Sequence, residues 1–449
     1  MSRYKVYSDY RDSGVECLGM VPSHWTTCRI KNTATVNPAK SEVRNMAPDT
    51  EVAFIPMEAI GEKGDLDTSR TKPLSEVISG YSYVADGDIM IAKITPCFEN
   101  GKGAIARNLA NGIGFATTEV INIRPNNPND TAYLHYLLST DPFRKLAEGA
   151  MYGAGGQKRV ADSFVAEYHL SLPALSERTK IAAFLDHETA KIDALIDKQQ
   201  RLIELLKEKR QAVISHAVTK GLNPNAPMKD SGVEWLGEVP AHWEVMRLKH
   251  LATNIKAGPF GSAITKDMYV SAGYRVYGQE QVIPEDFSIG DYYISAETFL
   301  SLNQYKVTAG DILISCVGTF GKIAIVPHSI EPGIINPRLI RFQCNKHINP
   351  SLLAIVLRSA VVFEQFAYLS RGGTMDVINI GTLSEINIVV PPVIEQESLV
   401  AHVIATSTRF DALIGKTESA MSLLQERRTA LISAAVTGKI DVRDWQAAA

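Results

Sequence analysis

Two short glycine-rich segments combine backbone freedom with polar and basic side chains. They are Gly153-Ala154-Gly155-Gly156-Gln157-Lys158-Arg159 and Arg371-Gly372-Gly373-Thr374-Met375. Glycines let a backbone approach a ligand closely, glutamine can pair with adenine, and arginine or lysine can contact guanine or a phosphate. The two segments are therefore the first candidates for contact with nucleic-acid bases.

Other polar and basic residues along the same stretches of chain are weaker candidates for such contacts. A solvated surface charge is the simpler explanation for any single lysine among them. These residues are Lys40, Arg44, Lys63, Lys72, Lys93, Lys102, Ser262, Lys266, Arg275, Tyr277, Gln279, Gln281, Thr319 and Lys322.

Motifs for catalysis are absent from the sequence. The string Gly318-Thr319-Phe320-Gly321-Lys322 lacks the spacing of a phosphate-binding loop, and there is no H-E-x-x-H zinc motif or N-P-P-[FY] methyltransferase motif. The pairs His24-Trp25 and His242-Trp243 are interpreted as packing and turn elements. We therefore expect no catalytic residue, no metal site and no cofactor in this chain, as in a binding protein.

Composition limits the class of protein further. The five cysteines are an odd number without a C-x-x-C pair, which favours a reducing cytoplasm over a disulfide framework. No run of 18 apolar residues and no signal-like start is visible, so we expect a cytoplasmic protein without a membrane partner. The net charge of −3 excludes a polycation that binds nucleic acid by charge alone.

The chain repeats itself with an offset of 218 residues. Residues 12–35 and 230–253 are identical at 15 of 24 positions, and residues 193–219 and 411–437 at 15 of 27. Between these matched segments the copies differ, apart from the short runs Gly87–Ile91 and Gly310–Ile314. The pattern predicts two modules (1–175 and 222–392), each followed by a helical segment (176–221 and 393–449).

Similar ends with dissimilar middles indicate one scaffold with two different surfaces. Two modules that read two different targets would show this pattern, and an old duplication followed by drift is the alternative. Each module sums to −2, with 18 basic and 20 acidic residues in 1–175 and 13 and 15 in 222–392. We therefore expect the isolated chain to bind nucleic acid weakly.

The two helical segments have apolar residues at helical spacing, which predicts two long helices. The first is expected over Asp186–Thr219, where Gly and Pro are absent. Two equivalent helices can cover each other's apolar face as an antiparallel, coiled-coil-like rod, although each helix could instead cover its own module. The predicted rod-packing residues are Ile192, Leu195, Leu202, Leu206, Val213, Phe410, Leu413, Leu424 and Leu431. The basic clusters Lys207, Lys209, Arg210 and Arg427, Arg428 are equally well explained by docking or by solvation.

The modules themselves are predicted to be α+β and rich in strands. In the first module, strands are expected over 52–57, 88–91, 104–106 and 120–123, with a helix over 131–139. In the second, strands are expected over 274–277, 292–295, 311–315, 322–326 and 339–342, with helices over 350–359 and 363–369.

This plan resembles the specificity subunits of type I restriction–modification systems. The resemblance rests on the segments Gly19-Met20-Val21-Pro22-Ser23-His24-Trp25 and Gly237-Glu238-Val239-Pro240-Ala241-His242-Trp243, and on Leu172-Pro173 and Pro391-Pro392 before the helices. It extends to the helix ends Ala217–Gly221 and Ala435–Lys439 and to Gly258–Ser262. One departure is Glu177-Arg178, where the family often has Glu-Gln, as Glu395-Gln396 does here.

The resemblance implies a noncatalytic subunit that recognises a bipartite, asymmetric sequence in double-stranded DNA. Each module would read one half, and the helices would set the gap and dock two modification subunits, which methylate adenine at N6. S-adenosylmethionine, and ATP and Mg²⁺ for restriction by translocase-nuclease subunits, would be bound by those partners. This implies a host-defence role through DNA methylation and restriction.

Three other functions remain open at the level of sequence. A stand-alone, two-headed DNA-binding regulator would bind DNA tightly without partners. An enzyme with an unrecognised site would show catalysis alone. A purely structural scaffold would leave the divergent modules without a purpose.

Overall fold

The computed structural model describes residues 4–154, 156–316, 322–369 and 378–447. The chain divides into two units. The first unit consists of Met1–Gln200 with Ser419–Ala449, and the second consists of Arg201–Glu418. Both boundaries fall inside long helices, so each unit contains part of two helices that come from distant segments of the chain.

The first unit is strand-rich and leads into the first long helix. Its strands and helices are β1 (Tyr10–Asp12), β2 (Met20–Pro22), β3 (Thr26–Arg29), α1 (Ile30–Thr33), β4 (Ala34–Val36), β5 (Glu51–Ile55), β6 (Thr71–Pro73), α2 (Leu74–Val77), β7 (Ser82–Ala85), β8 (Ile89–Ala92), β9 (Gly103–Ile105), β10 (Ile113–Ala116), β11 (Val120–Pro125), α3 (Thr131–Leu138), α4 (Asp141–Gly149), α5 (Asp162–Glu167), β12 (His169–Leu172) and α6 (Leu175–Lys220).

Two four-stranded sheets form the centre of the first unit. Their strand orders are β6-β5-β10-β7 and β4-β11-β8-β9, and only the β5–β10 pair is parallel among the described pairs. Strand β8 is buried along its whole length, so it reads as a continuous apolar run without alternation. The turn before it is held by Asp88, which accepts a hydrogen bond from the Ala85 amide at 2.8 Å and pairs with Arg124. The strand predicted over 88–91 is confirmed, with its ends shifted by one residue.

The second unit follows the same plan. Its strands and helices are β13 (Met228–Asp230), β14 (Glu238–Pro240), β15 (Glu244–Arg247), β16 (Ala252–Ala257), β17 (Tyr269–Val270), β18 (Tyr274–Tyr277), α7 (Gln279–Val282), β19 (Tyr293–Ile294), α8 (Ala296–Ser301), β20 (Ile312–Ser315), β21 (Ile323–Ile325), β22 (Gly333–Ile335), β23 (Leu339–Cys344), α9 (Pro350–Leu357), α10 (Ala360–Leu369), α11 (Ile380–Glu385), β24 (Asn387–Val390) and α12 (Val393–Val436).

The two units share a sheet order although their central sequences differ. The order β16-β23-β20-β21 in the second unit corresponds to β4-β11-β8-β9 in the first. The strands and short helices predicted for both modules are present, with ends shifted by a few residues. The α+β class with two strand-rich domains and two long helices is therefore confirmed.

In the first unit the two long helices lie side by side in opposite directions. The Tyr133 hydroxyl lies 3.2 Å from the carbonyls of both Ser171, just before α6, and Val436, at the end of α12. Farther along, Arg428 of α12 donates to Asp193 of α6 at 2.9 Å. Residue numbers thus rise along α6 as they fall along α12. Helix α6 also begins 11 residues before the expected Asp186, because Ile181, Phe184 and Leu185 are buried in the core of this unit.

The second unit shows the same antiparallel arrangement. The Trp243 indole donates to Glu395, near the start of α12, at 3.0 Å. The same ring packs against Gly221, just after α6, where a Cβ atom would lie 3.1 Å from it. Farther along, Arg210 of α6 pairs with Asp411 of α12.

A glutamate near the start of each long helix binds the His-Trp pair of its own unit. Glu177 lies 2.8 Å from the His24 ring and accepts from the Trp25 indole at 3.1 Å. Glu395 makes the matching contacts with His242 and Trp243. The histidine–tryptophan pairs thus fasten the helices to the domains, in agreement with their interpretation as packing elements.

The seam between the helices differs in part from the sequence prediction. Ile192 and Leu431 are buried, and Leu206, Val213, Phe410 and Leu424 are partly buried. The predictions for Leu195, Leu202 and Leu413 are wrong, because these side chains are 45%, 42% and 48% exposed. Heptad packing alternates steps of three and four residues. With this spacing, the buried residue of the seam is the isoleucine directly after each of these leucines: Ile196, Ile203 and Ile414.

Residues near the two ends of the described chain contact each other in the first unit. The Asp441 amide donates to the Lys5 carbonyl at 2.8 Å, and the Lys5 ammonium pairs with Asp444 at 2.9 Å. The Trp445 ring packs against Phe184 of α6. The C-terminal segment therefore contributes to the same core as the N-terminal strands.

Within the described ranges, no single helix has the length and apolar character needed to cross a membrane. One pair, α9 and α10, meets the criteria of length and composition together but is bent by 61°.

Candidate nucleic-acid interface

The first glycine-rich segment is the tip of a hairpin in the first unit. The Tyr152 amide donates to the Arg159 carbonyl at 3.1 Å, and the Arg159 amide donates back at 2.8 Å. Thr95 holds the tip from the side: its hydroxyl donates to the Gly156 carbonyl at 2.7 Å and accepts from the Lys158 amide at 3.1 Å. The segment is closed by the single Tyr152–Arg159 bridge and lies between the helices α4 and α5 rather than between a strand and a helix, so it lacks the geometry of a dinucleotide loop.

Glycine is required at one position of this tip. Gly153 has φ of +133°, and a Cβ atom there would lie 2.5 Å from the Gln157 carbonyl oxygen. Gly155 lies outside the described residues. Gly156, Gln157 and Lys158 are exposed, as is the Tyr152 ring, which the sequence analysis did not select. The tip thus exposes an aromatic ring, an amide and an ammonium group on a backbone that is fixed by hydrogen bonds.

Arg159 is tied to a residue that the sequence analysis missed. Its Nε and Nη2 atoms donate to the two carboxylate oxygens of Glu119 at 2.9 and 2.8 Å. Each partner stabilises the other's charge, so the pair lowers the pKa of Glu119 and raises that of Arg159. Glu119 is 40 positions away in the chain, and no local pattern indicated the pair.

Three backbone segments meet beside this hairpin and form a frame. The Lys93 amide, just after β8, donates to the Glu119 carbonyl at 2.9 Å. The Val160 amide, just after the hairpin, donates to the Lys93 carbonyl at 2.9 Å. The frame therefore joins the residue after β8, the turn before β11 and the residue that follows the glycine-rich hairpin.

The second unit repeats this frame. The Cys316 amide, just after β20, donates to the Arg338 carbonyl at 3.0 Å, and the Ile378 amide donates to the Cys316 carbonyl at 2.8 Å. Segments 317–321 and 370–377 lie outside the described residues, so Thr319, Arg371, Gly372, Gly373, Thr374 and Met375 are not placed. Ile378, just after the second glycine-rich segment in the sequence, thus has the same place in its frame as Val160, just after the first.

The side chains on the two frames differ in charge. Glu119 of the first unit corresponds to Arg338 of the second, which is exposed and has no acidic partner among the described residues. Lys93 lies 3.6 Å from Asp162, whereas Cys316 replaces it in the second unit. One backbone arrangement thus presents two chemically different surfaces.

The weaker candidates of the first unit are mostly engaged in local contacts. Lys40 donates to the Ile78 carbonyl at 2.8 Å, and Lys102 to the Met57 carbonyl at 3.1 Å. Lys72 lies 3.6 Å from Glu76 and over the Phe54 ring. Arg44 and Lys63 are exposed. Arg44 and Lys63 remain predictions for DNA contact. Lys40, Lys72 and Lys102 also remain predictions, although each of them makes a local contact within the domain.

The weaker candidates of the second unit divide into exposed and buried residues. Ser262, Lys266 and Lys322 are exposed and remain predictions, whereas Gln279 is half-buried and donates to Ser315 at 2.6 Å. Arg275, Tyr277 and Gln281 need correction, because they are buried.

Arg275 is only 4% exposed and donates to the Gly290 carbonyl at 2.6 Å and to Glu331. The Tyr277 hydroxyl donates to the Glu331 carbonyl at 2.8 Å. Gln281 closes a turn by accepting from the Gly278 amide at 2.7 Å. We therefore remove these three residues from the DNA-contact candidates and assign them to the domain core.

Within the part of the chain that the structure describes, no group of three or more His, Cys, Asp or Glu side chains is arranged to hold a metal ion.

The family model described as "Type I restriction modification DNA specificity domain" matches this chain twice. The matches span residues 22–205 and 240–416, which together are most of the chain. Each match begins within a copy of the repeated segment that contains the His-Trp pair and extends into the long helix that follows.

Two curated relatives match part of the chain. The type I restriction enzyme EcoEI specificity subunit of Escherichia coli is 36% identical over 163 residues, which are 36% of this chain and 27% of that protein. The EcoAI specificity subunit of Escherichia coli is 39% identical over 163 residues, with the same coverage. The matched stretch is thus about a quarter of the length of these relatives.

Solved structures match nearly the whole chain. A chain from a structure titled for complex assembly and conformational transition of the type I R-M system has a TM-score of 0.73 at 18% identity, covering 93% of this chain and 98% of that chain. The HsdS subunit from Thermoanaerobacter tengcongensis has a TM-score of 0.55 at 18% identity, covering 94% of this chain and 98% of its own. At this identity the likeness establishes the fold.

Proposed function

Since this chain belongs to the family of type I restriction–modification DNA specificity proteins, we propose that it reads a bipartite DNA sequence for a modification and restriction complex. Each unit reads one half of an asymmetric double-stranded target. The chain itself is noncatalytic and supplies the choice of sequence.

One observation carries this proposal more than any other. Two units with the same hydrogen-bonded frame present different side chains at the same places, Glu119 in one and Arg338 in the other. Base recognition depends on the donors and acceptors that reach the groove, so different side chains on one scaffold select different bases. In a scaffold without two targets, this contrast would have to come from drift after the duplication.

The long helices have a second role in the proposed complex, which is to hold partner subunits. Their outer faces expose apolar side chains that the seam does not use: Leu195, Leu202, Leu205, Leu413 and Leu423. Single exposed leucines are ordinary, but repeated ones along long helices suit packing by helices of a partner. We assign these faces to two modification subunits and, through them, to the restriction subunits.

The cofactors of the complex belong to those partners. S-adenosylmethionine serves methyl transfer, and ATP with Mg²⁺ serves restriction. The glycine-rich hairpin at Tyr152–Arg159 does not have the strand-to-helix geometry that such nucleotide cofactors use. We therefore do not assign cofactor binding to this hairpin.

The proposal is tested by expressing the chain with its modification subunit in a host without DNA methylation and sequencing the DNA for N6-methyladenine. We expect one bipartite motif that disappears when the chain is omitted. Replacing residues 1–175 with the corresponding region of another family member should change one half of the motif only. Methylation that is independent of the chain would contradict the proposal.

A stand-alone DNA-binding regulator is the alternative outcome. Such a protein would bind a specific duplex tightly without partners, in a gel-shift measurement at physiological salt. The weak net negative charge predicts instead that binding becomes tight only with the modification subunits present.

A further inference from the structure

The geometry of the first unit points to Glu119 as a positioning residue that holds Arg159 for the recognition of a guanine. This inference rests on the proposed function and deepens it, because it names the side chains and the base for one contact in the half-site read by the first unit. Neither residue pattern nor spacing connects Glu119 to this role.

The backbone of Arg159 is fixed from both sides. Arg159 pairs with Tyr152 across the hairpin and with Ile94 on its other side. Both bridges are antiparallel, and directly opposed residues of antiparallel pairs direct their side chains to the same face. The exposed Tyr152 ring and the Arg159 side chain therefore share one face of the hairpin.

The guanidinium group is fixed as well. Glu119 accepts from Nε at 2.9 Å and from Nη2 at 2.8 Å, so both of its oxygens are used by this arginine. Nη1 has only a long contact, 3.4 Å, with the Gln157 carbonyl. The edge formed by Nη1 and the second Nη2 hydrogen is left to donate two parallel hydrogen bonds.

Such an edge matches the base that arginine reads best. Guanine presents two adjacent acceptors, O6 and N7, in the major groove, and arginine can donate to both at once. The Arg159 side chain is 33% exposed and that of Glu119 is 27% exposed, so a ligand can reach this pair from solvent. Lys158 is exposed next to Arg159 and can contact the neighbouring phosphate.

A plain surface ion pair is the competing explanation. Partly exposed pairs stabilise a fold by little, about 0–1 kcal/mol. A bidentate pair on a hairpin braced by Thr95 holds its remaining donor edge in one place, which is what base reading requires, because a fixed donor pair rejects the wrong base. Arg338 of the second unit occupies the position that Glu119 has in the first, so both units place a charged side chain at this position of the frame.

The test uses the complete complex of this chain with its modification subunits. Methylation rates are measured on duplexes that carry each of the four base pairs at every G·C position of the half-site read by the first unit. For Arg159→Lys and Glu119→Gln we expect the preference for guanine to fall about tenfold or more at one position, with the other half-site unchanged. The Gln variant retains hydrogen bonding but loses the charge and one acceptor.

Asp441→Asn is the matched control, because Asp441 makes a similar bidentate pair with Arg443 in the same unit, at 3.0 and 2.7 Å, away from the hairpin. It should leave the preference unchanged. A half-site without guanine, an unaltered preference in both variants, or an equal loss of rate with all four bases would overturn the inference. Absence of any chain-dependent motif in the unaltered complex would overturn the proposed function itself, so the two failures are distinguishable.

Discussion

Asp193 and Arg428 lie 235 positions apart in the chain and form an ion pair between the two long helices, with Nε 2.9 Å from one carboxylate oxygen. The repeat offset of 218 relates Asp193 to Asp411 and Arg210 to Arg428. Asp411 and Arg210 form the matching pair in the second unit. The same contact is thus made twice, with the roles of the two helices exchanged.

These two pairs should differ in strength. Asp193 and Arg428 are 34% and 25% exposed, whereas Asp411 and Arg210 are 57% and 33% exposed, so water screens the second pair more. In double-mutant cycles with alanine we expect a coupling of about 0.5–1 kcal/mol for the first pair and less for the second. Chemical denaturation at low and high salt measures both couplings. A larger coupling for the more exposed pair would contradict the expectation.

Glu177 should be far more important for stability than its counterpart Glu395. Glu177 is 6% exposed and accepts from the Tyr7 hydroxyl at 2.7 Å as well as from the Trp25 indole. Glu177→Ala leaves both donors buried without a partner, and we expect a loss of about 2–4 kcal/mol.

Glu395 is 37% exposed, so water can replace its contacts in Glu395→Ala, and a loss of about 1 kcal/mol or less is expected. Urea unfolding of the two variants, followed by tryptophan fluorescence, compares them directly. Equal losses in the two variants would show that burial of the carboxylate is not what makes the contact costly to break.

Adjacent residues on α6 should respond oppositely to truncation. Ile196 is buried in the seam and Leu195 is exposed. Ile196→Ala removes buried methyl groups and should cost about 2–4 kcal/mol, whereas Leu195→Ala should cost about 0.5 kcal/mol. In the proposed complex, Leu195→Ala should instead weaken association with the modification subunit in a pull-down or titration. A large loss of monomer stability in Leu195→Ala would place that residue in the seam after all.

His135 should make the first unit sensitive to acid. Burial of its ring, together with Arg144, Arg107 and Arg428, lowers its pKa to about 4. An unfolded histidine has a pKa of about 6.5, so between these values the unfolded chain binds a proton that the folded chain does not. The free energy of unfolding therefore falls as pH drops from about 6.5 to about 4, by on the order of 2–3 kcal/mol from this group.

His135→Phe keeps an aromatic ring of similar width and removes the titration. We expect the difference in unfolding free energy between variant and unaltered chain to shift in favour of the variant as pH falls through that window. Urea titrations at a series of pH values measure it. A difference that is constant from pH 7 to pH 4 would show that His135 is protonated equally in both states.

The amino-acid sequence alone determined the plan of this protein. The repeat predicted two units of one architecture, and the runs around Ile89 and Ile312 predicted equivalent strands in both. Periodicity predicted two long helices, and the repeated pairs around Trp25 and Trp243 were interpreted as packing and turn elements. These features follow from local patterns, because strand and helix formation depend on neighbouring residues and on hydrophobic spacing.

Only the tertiary structure decided which residues meet. Leu195 and Ile196 are both apolar, and the facing helix determined which of them is buried. Arg275 has a type suited to DNA contact but is enclosed by carbonyl groups of its own domain. The contacts of Glu119 with Arg159 and of Asp441 with Lys5 form only when the chain folds. Such contacts join distant segments, so they depend on the packing of whole elements and not on a pattern along the chain.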